Sequence, residues 1–324
     1  MSALLEVANL SVDVATADGY ARIVSGGGFA LEEGEALGVV GESGSGKTMT
    51  ALAIMGLLPE GARVGGSIRF EGRELVGLSE EAMLALRGDR IAMIFQEPMT
   101  ALNPLIRVGD QVGEPLVLHR GMSRSAAFAE AIKLLGHVRL VDPERAAHSY
   151  PFGLSGGERQ RAMIAMAIGC SPRLVIADEP TTALDVTVQA RILDLIEGLR
   201  AESRMALLLV SHDLAVIAGR CDRVIVMYSG LVMESGPVRA VLSAPRNPYT
   251  RALLEARPKP GAPRGARLKT IPGAPSGRRD GVGCPFAGRC ELTLEICRTS
   301  APPEIAFGEQ MSRCHRAGEL GQTA

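Results

Sequence analysis

Alternating and continuous apolar runs divide the first 250 residues into short strands and longer helices. Residues 4–14, "LLEVANLSVDV", alternate apolar and polar positions and predict a half-exposed strand at a sheet edge. The run "ALGVVG" at 36–41 is almost wholly apolar and predicts a buried strand. A helix is expected from about residue 47 to 58, where "PEG" at 59–61 ends it.

Four later apolar runs follow the same strand pattern and alternate with helical segments. They lie at 91–96 ("IAMIFQ"), 173–179 ("RLVIADE"), 206–212 ("ALLLVSH") and 223–230 ("RVIVMYSG"), and a turn is expected at "ESG", 234–236. Residues 97–150 instead carry helical patterns that turns interrupt. Alternating strands and helices favour a mainly parallel sheet, so the sequence predicts an α/β core with a helical insertion.

Composition and charge are those of an ordinary soluble α/β protein. The 324 residues suggest one large domain with an appendage, or two domains. A net charge of -1 gives no overall attraction to nucleic acid. Because no apolar run approaches the ~18 residues that span a bilayer, and the N-terminus lacks a signal-peptide pattern, a cytoplasmic location is expected.

Residues 41–48, "GESGSGKT", form a phosphate loop between a predicted strand and a predicted helix. Glycines allow the tight turn that points successive N–H groups at phosphate, Lys47 reaches the β and γ phosphates, and the Thr48 hydroxyl binds Mg²⁺. The helix that begins at Lys47 adds the positive end of its dipole. The predicted ATP-binding residues are Gly41, Glu42, Ser43, Gly44, Ser45, Gly46, Lys47 and Thr48.

Polar residues end three of the predicted strands. Asp178 is expected to hold Mg²⁺, and Glu179 to act as the base or orient the attacking water. Two acids at a strand end are commonly only solvated, but the buried strand before them and "PTTALD" after them favour function. His212 alone is more often structural, yet at the same sheet edge it could donate to the γ phosphate. Gln96 could join the Mg²⁺ shell through its amide oxygen.

A second glycine motif, "GLSGGERQR" at 153–161, lies at the expected start of a helix. Ser155 and Glu158 fit a capping box, in which each side chain accepts a hydrogen bond from the other residue's backbone. Gly156 and Gly157 leave bare backbone at the positive end of this helix. On these residues alone, an ordinary well-capped helix is as good an explanation as a phosphate site.

The composition changes after about Arg257. Residues 257–279 hold seven basic residues, no acidic residue and nine Pro or Gly, which is typical of a solvated linker; contact with lipid headgroups or membrane subunits is the alternative. Four of the six cysteines follow, with five, six and sixteen residues between them. This is not the spacing of a usual zinc site, so free thiols and a metal site are equally consistent with it. These cysteines are Cys284, Cys290, Cys297 and Cys314.

The phosphate loop, strand-end Gln, "LSGGERQ", "LVIADE" and strand-end His, in this order over residues 4–250, resemble the ATP-binding subunit of ABC transporters. "IFQEPMTALNPLIRVGDQVGEPL" and the tail "GCPFAGRC" resemble dipeptide and oligopeptide importers, although nickel and glutathione importers share much of this wording. The resemblance implies a P-loop NTPase with a RecA-like parallel-sheet core, an antiparallel β subdomain and a helical subdomain at about 97–160. It also implies an ATPase domain at 1–256 and a small Cys-containing extension at 257–324.

The same resemblance implies that ATP sites are shared between two subunits. In the family the signature motif meets ATP bound to a second ATPase, here through Leu154, Ser155, Gly156, Gly157, Glu158 and Gln160. Asp185 would lie in the loop that touches the partner. Peptide importers of this branch pair two different ATPases below two transmembrane permeases and receive solute from a binding protein. The chain would then lie on the cytoplasmic face of the membrane, with about 97–150 receiving the permeases' coupling helices.

Two further implications concern the adenine and the cysteines. Relatives stack adenine on an aromatic side chain before the phosphate loop, but the aligned position here is Val14, and Tyr20 in the turn "ADGYAR" could substitute. Tails of this type can hold a [4Fe-4S] cluster on four cysteines, with zinc as the alternative. Cys170 and Cys221 are expected to be small, buried apolar residues.

Rival functions explain fewer of these motifs. Repair ATPases of the ABC type carry long coiled coils or zinc insertions, and translation relatives carry two ATPase domains; neither is present in the sequence. A phosphonate-degrading complex remains an alternative for a non-transport ABC ATPase. A small-molecule kinase would share the phosphate loop but would leave "LSGGERQ" and His212 without a role.

Overall fold

The computed structural model describes residues 3–182, 184–257, 269–273 and 282–321. The strands in this part of the chain are β1 (Leu5–Thr16), β2 (Gly19–Leu31), β3 (Ala36–Val40), β4 (Arg63–Phe70), β5 (Arg73–Glu74), β6 (Ile91–Ile94), β7 (Leu174–Asp178), β8 (Ala206–Ser211), β9 (Arg223–Tyr228), β10 (Leu231–Pro237), β11 (Glu304–Phe307) and β12 (Gln310–Arg313).

The helices are α1 (Lys47–Met55), α2 (Glu80–Leu84), α3 (Pro98–Ala101), α4 (Val108–Arg120), α5 (Arg124–His137), α6 (Pro143–His148), α7 (Gly156–Ile168), α8 (Val186–Ser203), α9 (Leu214–Arg220), α10 (Val238–Ser243), α11 (Pro248–Glu255) and α12 (Ile296–Thr299). The chain divides into two compact units. Unit 1 contains the described residues up to 4, 31–35 and 77–209, and unit 2 contains 5–30, 36–76 and those from 210 onward. None of the described helices is both long and apolar enough to cross a bilayer.

Unit 2 contains two groups of strands. In one, β2, β1, β4 and β5 lie side by side, and β1 pairs antiparallel with β4, from Leu5 opposite Phe70 to Asp13 opposite Arg63. The prediction of an edge strand at 4–14 was therefore wrong, because β2 covers the other side of β1. In the other the order is β11, β12, β10, β9 and β3, with β3 and β9 parallel. Helix α9 lies so close to β3 that a Cβ at Gly38 would fall 2.4 Å from Ile217 Cγ2, so glycine is required there.

Unit 1 combines a buried parallel strand pair with a group of helices. β6 pairs in parallel with β7, Ile91 opposite Leu174, and both strands are buried throughout. The described part of 97–160 is helical, and Cys170 is buried with Leu116 and Ala127 at the base of these helices. The expectation that Cys170 is a buried apolar residue is therefore confirmed, whereas Cys221 in unit 2 is only half-buried.

Three predicted boundaries were wrong, each for a local reason. β6 ends at Ile94, so Gln96 lies two residues beyond the strand. The "ESG" residues belong to β10, because the turn that joins β9 to β10 occurs earlier, at Ser229 (φ 47°) and Gly230 (φ 83°). Two successive positive φ angles make the tight hairpin turn that matches strand twist. Helix α1 ends at Met55 because Gly56 (φ 62°) takes the left-handed C-cap position.

The C-terminal segment, itself part of unit 2, pairs with the rest of that unit through β10. β12 pairs antiparallel with β10, with Ser312 opposite Glu234. The fully buried Glu234 carboxylate accepts hydrogen bonds from Arg246 N and Gln310 Nε2, both at 2.6 Å. Burial raises the pKa of Glu234 to about 7 although these hydrogen bonds oppose the shift. A polar network thus fixes the C-terminal hairpin to the rest of unit 2.

Candidate nucleotide site

The phosphate loop of unit 2 connects the fully buried β3 to α1. Gly41 admits no side chain, since a Cβ there would lie 2.1 Å from the Met227 carbonyl oxygen. Gly44 (φ 76°) and Gly46 (φ 100°) adopt left-handed backbone angles that favour glycine, and Gly46 is the residue before α1. The sequence therefore folds here into a tight turn at the N-terminus of a helix, as the motif requires.

Lys47 lies over this loop. Its side chain is 5% exposed, and its Nζ donates hydrogen bonds to the carbonyl oxygens of Gly41 (2.8 Å) and Glu42 (3.0 Å). The buried Ser45 hydroxyl has no hydrogen-bond partner among the described residues. A buried ammonium, an unpartnered hydroxyl and the start of a helix form an environment that suits an anionic phosphate. Thr48 is exposed at the first turn of α1.

Glu42 is held by residues that the motifs did not indicate. Its carboxylate accepts two hydrogen bonds from Arg289, Nη1 to Oε2 at 2.6 Å and Nη2 to Oε1 at 3.0 Å. Its backbone N–H donates to the Tyr249 hydroxyl at 3.0 Å. Position 42 is thus linked to residues more than 200 positions away in the sequence, and neither Arg289 nor Tyr249 had a local pattern that marked it.

The two carboxylates predicted to bind Mg²⁺ and to activate water, Asp178 and Glu179, lie in unit 1. Asp178 is 2% exposed at the end of β7, and Glu179 follows it with a positive φ of 44°, an uncommon angle for a residue with a side chain. Thr182 Oγ1 donates to Glu179 Oε2 at 2.9 Å, and Gln96 Nε2 reaches the same oxygen at 3.4 Å. The structure therefore brings Gln96 and Glu179 together, with the backbone turned sharply after the buried strand.

His212 follows the last residue of β8 and is exposed, as expected for a strand-end side chain. The residues on either side of it are tied to the backbone. Ser211 Oγ accepts from Asp213 N at 2.9 Å, and Asp213 Oδ1 accepts from Ala215 N at 2.6 Å, capping α9. These caps hold the backbone at the strand end while the imidazole stays accessible to solvent.

The second glycine motif forms the capping box predicted from the sequence. Glu158 N donates to Ser155 Oγ at 3.3 Å, and Ser155 N donates to Glu158 Oε2 at 2.8 Å. Burial favours a higher pKa for Glu158, but bonds from Ser155 and Arg145 outweigh it and hold the pKa below its usual value. Ser155 and Gly156 are exposed, so the positive end of α7 faces solvent. Leu154 and Gln160 are instead buried.

Asp185 caps a helix. Its side chain accepts from Val188 N at 2.9 Å, which makes it the N-cap of α8, and the residue itself is exposed. A capping Asp satisfies one backbone N–H that the helix leaves free. This position is compatible with a loop at a subunit surface and gives the residue a structural role as well.

Tyr20 lies in β2 rather than in the predicted turn, which occupies residues 17–18. The ring is 47% exposed, and the Arg63 guanidinium lies over one face, 3.7 Å from the ring centroid. Further along β2, the carbonyl of Ile23 lies 3.0 Å from where a Cβ of Gly46 would be. Three strand residues span about 10 Å, so Tyr20 lies about that far from the loop along the strand.

Replacing Tyr20 by Ala is expected to weaken ATP binding about fivefold or more, because stacking of a base on an aromatic ring contributes ~1–3 kcal/mol. Titration of the purified protein with a fluorescent ATP analogue measures the effect. Tyr150→Ala is the control, since Tyr150 is also partly exposed and stacked, against Phe152. Unchanged affinity in Tyr20→Ala would mean that apolar contacts alone hold the adenine.

The four C-terminal cysteines line one small cavity of about 20 Å³ and form no disulfide. Burial, followed by the neighbouring thiols, raises the pKa of Cys284 to about 11, and burial also raises the pKa of Cys290 and Cys314. Backbone N–H groups face the sulfurs, with Arg316 N donating to Cys314 Sγ at 3.3 Å. Within the described ranges no three His, Cys, Asp or Glu side chains are arranged closely enough to hold a metal ion. As placed, the thiols converge without forming a finished metal site.

Known proteins share long stretches of this sequence. Residues 24–182 match the family described as ABC transporter, and residues 233–297 match "Oligopeptide/dipeptide transporter, C-terminal region". The oligopeptide transport ATP-binding protein OppD of Salmonella typhimurium is 48% identical over 98% of this chain and 94% of its own length. OppD of Escherichia coli is 50% identical over 94% of this chain and 90% of its own.

The chain belongs to the ABC transporter family. Among solved structures, an ATP-binding cassette in a dimeric post-hydrolysis state bound to ADP and Pi is similar, with a TM-score of 0.65, 28% identity and coverage of 72% of this chain and 99% of that one. The fold class predicted for this ABC transporter ATPase, α/β with parallel and antiparallel strand pairs, is confirmed. Most of the predicted linker, at 258–268 and 274–279, lies outside the described residues.

Proposed function

We propose that this chain is the ATP-hydrolysing subunit of an ABC importer of oligopeptides or dipeptides. The observation that carries the proposal is its identity of 48% to a protein named for oligopeptide transport and ATP binding, over nearly the whole of both chains. A C-terminal match to the oligopeptide/dipeptide transporter region supports the same substrate class. A third relative, from Sinorhizobium fredii, is 47% identical and is named as a probable peptide ABC transporter ATP-binding protein.

The roles of the site residues follow from their chemistry. The ammonium of Lys47 exchanges its loop carbonyls for the β and γ phosphates of ATP, and the exposed Thr48 hydroxyl is a ligand for Mg²⁺. In unit 1, the Asp178 carboxylate and the Gln96 amide offer the oxygen donors that Mg²⁺ prefers. Bound Mg²⁺ would neutralise charge on the phosphates, while Glu179 accepts a proton from the attacking water. His212 donates to the γ phosphate as neutral imidazole.

The exposed N-terminus of α7 is proposed to bind the γ phosphate of ATP held by a second ATPase subunit. Its bare glycine backbone, helix dipole and open position favour an anion brought by another chain. The similar cassette was solved as a dimer, which supports such a pairing. We expect the second subunit to be a different ATPase. ATP would then hold the two subunits together, and hydrolysis would let them separate.

Transport requires further partners. We propose two transmembrane permeases, which would contact the helical segment around 97–150, and a solute-binding protein that delivers the peptide. The chain would then act at the cytoplasmic face of the membrane. Exposed apolar side chains in this segment, Leu105 and Leu118, support a docking surface there.

Peptide uptake by living cells tests the proposal. Deleting the gene in an amino-acid auxotroph should prevent growth on an oligopeptide that supplies the missing amino acid, while growth on the free amino acid continues. The wild-type gene should restore growth, and Lys47→Ala, which removes the phosphate-binding ammonium, should not. Normal growth of the deletion strain on peptides, with no second peptide importer present, would contradict peptide import.

We also propose that Cys284, Cys290, Cys297 and Cys314 hold a [4Fe-4S] cluster with a structural role. Four thiols on one cavity, with backbone N–H groups facing the sulfurs, are a donor set typical of such clusters. The thiols would move closer together and lose their protons on binding iron, which offsets the raised thiol pKa values. No step of ATP hydrolysis depends on this group.

Protein purified without oxygen is expected to contain about four iron and four sulfide per chain, the composition of the cluster. Cys290→Ser should lower both, whereas Cys170→Ser, at a cysteine buried in the other unit, should change neither. Zinc in equimolar amount, or no metal at all, would contradict the iron–sulfur proposal.

A further inference from the structure

Glu42, the second residue of the phosphate loop, forms an ion pair with Arg289 of the Cys-bearing segment 282–300. The two terminal guanidinium nitrogens of Arg289, Nη1 and Nη2, donate to the two carboxylate oxygens of Glu42, at 2.6 and 3.0 Å. The Arg289 side chain is only 7% exposed. Two parallel hydrogen bonds between a buried guanidinium and a carboxylate fix both distance and orientation. The pair is therefore a rigid connection between the loop and this segment.

Two further donors of Arg289 are also engaged. Its Nε donates to the carbonyl oxygen of Pro272 at 2.8 Å, and Nη1 also donates to the Tyr228 hydroxyl at 3.2 Å. The chain turns locally to place this residue, since Arg289 N donates to Phe286 O at 2.9 Å. A guanidinium bonded on several sides loses little further freedom when it binds a carboxylate. Arg289 is thus preorganised to hold Glu42.

An aromatic cluster of Tyr228, Tyr249 and Phe286 supports this connection. The ring centroids are 4.6, 5.3 and 5.2 Å apart, in tilted or edge-to-face contact. The sequence has only 11 aromatic residues, four Tyr and seven Phe with no Trp. Three of these 11 therefore lie in one cluster. Tyr228 ends β9 and Tyr249 lies in α11, whereas Phe286 comes from the Cys-bearing segment. Such pairs contribute ~0.5–1.5 kcal/mol each beyond burial.

Lys47 makes the connection relevant to nucleotide binding. In the structure, Lys47 Nζ donates to the Glu42 carbonyl oxygen at 3.0 Å and so helps to hold the loop in place. When Lys47 turns to the phosphates, this bond is lost. Glu42 then keeps the bonds from its backbone N–H to Tyr249 and from Arg289 to its carboxylate. The loop can therefore exchange Lys47 for phosphate without losing its conformation.

On the basis of the proposed ATP-binding function, we propose that Arg289 is a positioning residue for the phosphate loop. Through Glu42, the Cys-bearing segment braces the loop in the conformation that receives the triphosphate. Arg289 itself does not contact ATP. The Cys-bearing segment of this chain thereby affects nucleotide affinity in addition to forming a structural element of its own.

Arg289→Gln tests the brace, because it removes the charge and one of the paired donors. The Kd for ATP with Mg²⁺, measured by calorimetry on the full chain, is expected to rise about fivefold or more, a usual size for coupling between sites. Arg289→Lys keeps the charge without the paired donors and should give an intermediate Kd. In ATPase assays KM should rise with Kd while kcat changes by less than about twofold. The reason is that the lost interaction stabilises bound ATP and the transition state equally.

A double-mutant cycle with Glu42→Gln separates positioning from general damage. If the pair acts as a unit, Glu42→Gln and Arg289→Gln weaken ATP binding similarly, and the double variant is no weaker than either one. Arg298→Gln, at an exposed arginine of the same segment, is the control and should bind ATP normally. Wild-type affinity in Arg289→Gln, or losses that add in the double variant, would overturn the proposal.

Two other outcomes have defined meanings. If Arg289→Gln unfolds its segment, seen as faster reaction of the four cysteines with a thiol reagent, Glu42→Gln decides the question, since it leaves that segment's sequence intact. Normal ATP affinity in Glu42→Gln would then overturn the brace. A wild-type chain that binds no ATP would overturn the proposed function and this inference with it, whereas normal binding by both wild type and Arg289→Gln overturns the brace alone.

Discussion

Glu179→Gln is expected to keep ATP binding and lose ATP hydrolysis by about 10²–10⁴-fold, the usual contribution of a general base. The amide of Gln has nearly the same shape as the carboxylate but cannot accept a proton from water. Glu179, the proposed base, directly follows a buried strand, and Thr182 Oγ1 donates to one of its carboxylate oxygens. A carboxylate has about four acceptor sites, so it can accept a hydrogen bond from water in addition to these bonds.

Backbone strain at Glu179 supports the same expectation. A positive φ of 44° on a residue with a side chain persists only where the surrounding structure holds it, and such residues concentrate at functional sites. Gln96 Nε2, 3.4 Å from the same carboxylate, adds a polar group that can adjust when Mg²⁺ and ATP bind. The substitution therefore acts on chemistry rather than on the position of the backbone.

Phosphate release and ATP affinity, measured on the same preparation, check this prediction. Glu60→Gln is the control, because Glu60 lies in an exposed turn after α1. This variant should hydrolyse ATP at the wild-type rate. If Glu179→Gln hydrolyses ATP within about twofold of wild type, a different group accepts the proton. A loss of ATP binding together with hydrolysis would instead indicate that the carboxylate supports the nucleotide site as a whole.

Ser155→Arg is expected to reduce ATP hydrolysis about 100-fold while its own phosphate loop still binds ATP. A long cation at the exposed end of α7 would occupy the space where another subunit's γ phosphate is proposed to lie, so the closed dimer cannot form. Losing one interaction that stabilises the transition state commonly costs ~10²–10³ in rate. The assay uses the assembled transporter, in which both ATPase subunits are present.

Loss of a helix cap must be separated from loss of the partner contact. Ser79 caps α2 as Ser155 caps α7, its side chain accepting from Ala82 N at 3.3 Å. Ser79→Arg therefore removes a cap of the same kind, worth ~1 kcal/mol, at a helix with no proposed contact to nucleotide or permease. Full hydrolysis by Ser155→Arg, or equal losses in both variants, would contradict a shared ATP site.

Local sequence patterns predicted the parts of the site that each depend on a few adjacent residues. The turn angles at Gly44 and Gly46, the start of α1 and the capping box of α7 all follow from residue types within four positions of each other. The predicted ends of the strands were less accurate. Apolarity continued through Phe95 although β6 ends at Ile94, because Phe95 is partly exposed rather than buried in the sheet.

Long-range polar pairs could not be predicted in this way. Glu42 and Arg289 are 247 positions apart, and a glutamate in a phosphate loop or an arginine beside a cysteine has no local feature that points to the other. Tyr249 likewise belongs to a short helix whose pattern gave no sign of its hydroxyl reaching the loop. Charge pairs carry no periodicity, so only the folded arrangement shows them.

The C-terminal hairpin of β11 and β12 also covers one side of β10. β10 pairs with β9 along most of its length on one side and with β12 at Glu234 and Ser235 on the other. Without β12, one side of β10 would be an open edge, the kind of surface on which identical chains join strand to strand and aggregate. With the hairpin in place, the edge of this group of strands is the four-residue β11, and so short an edge strand offers little length for such pairing.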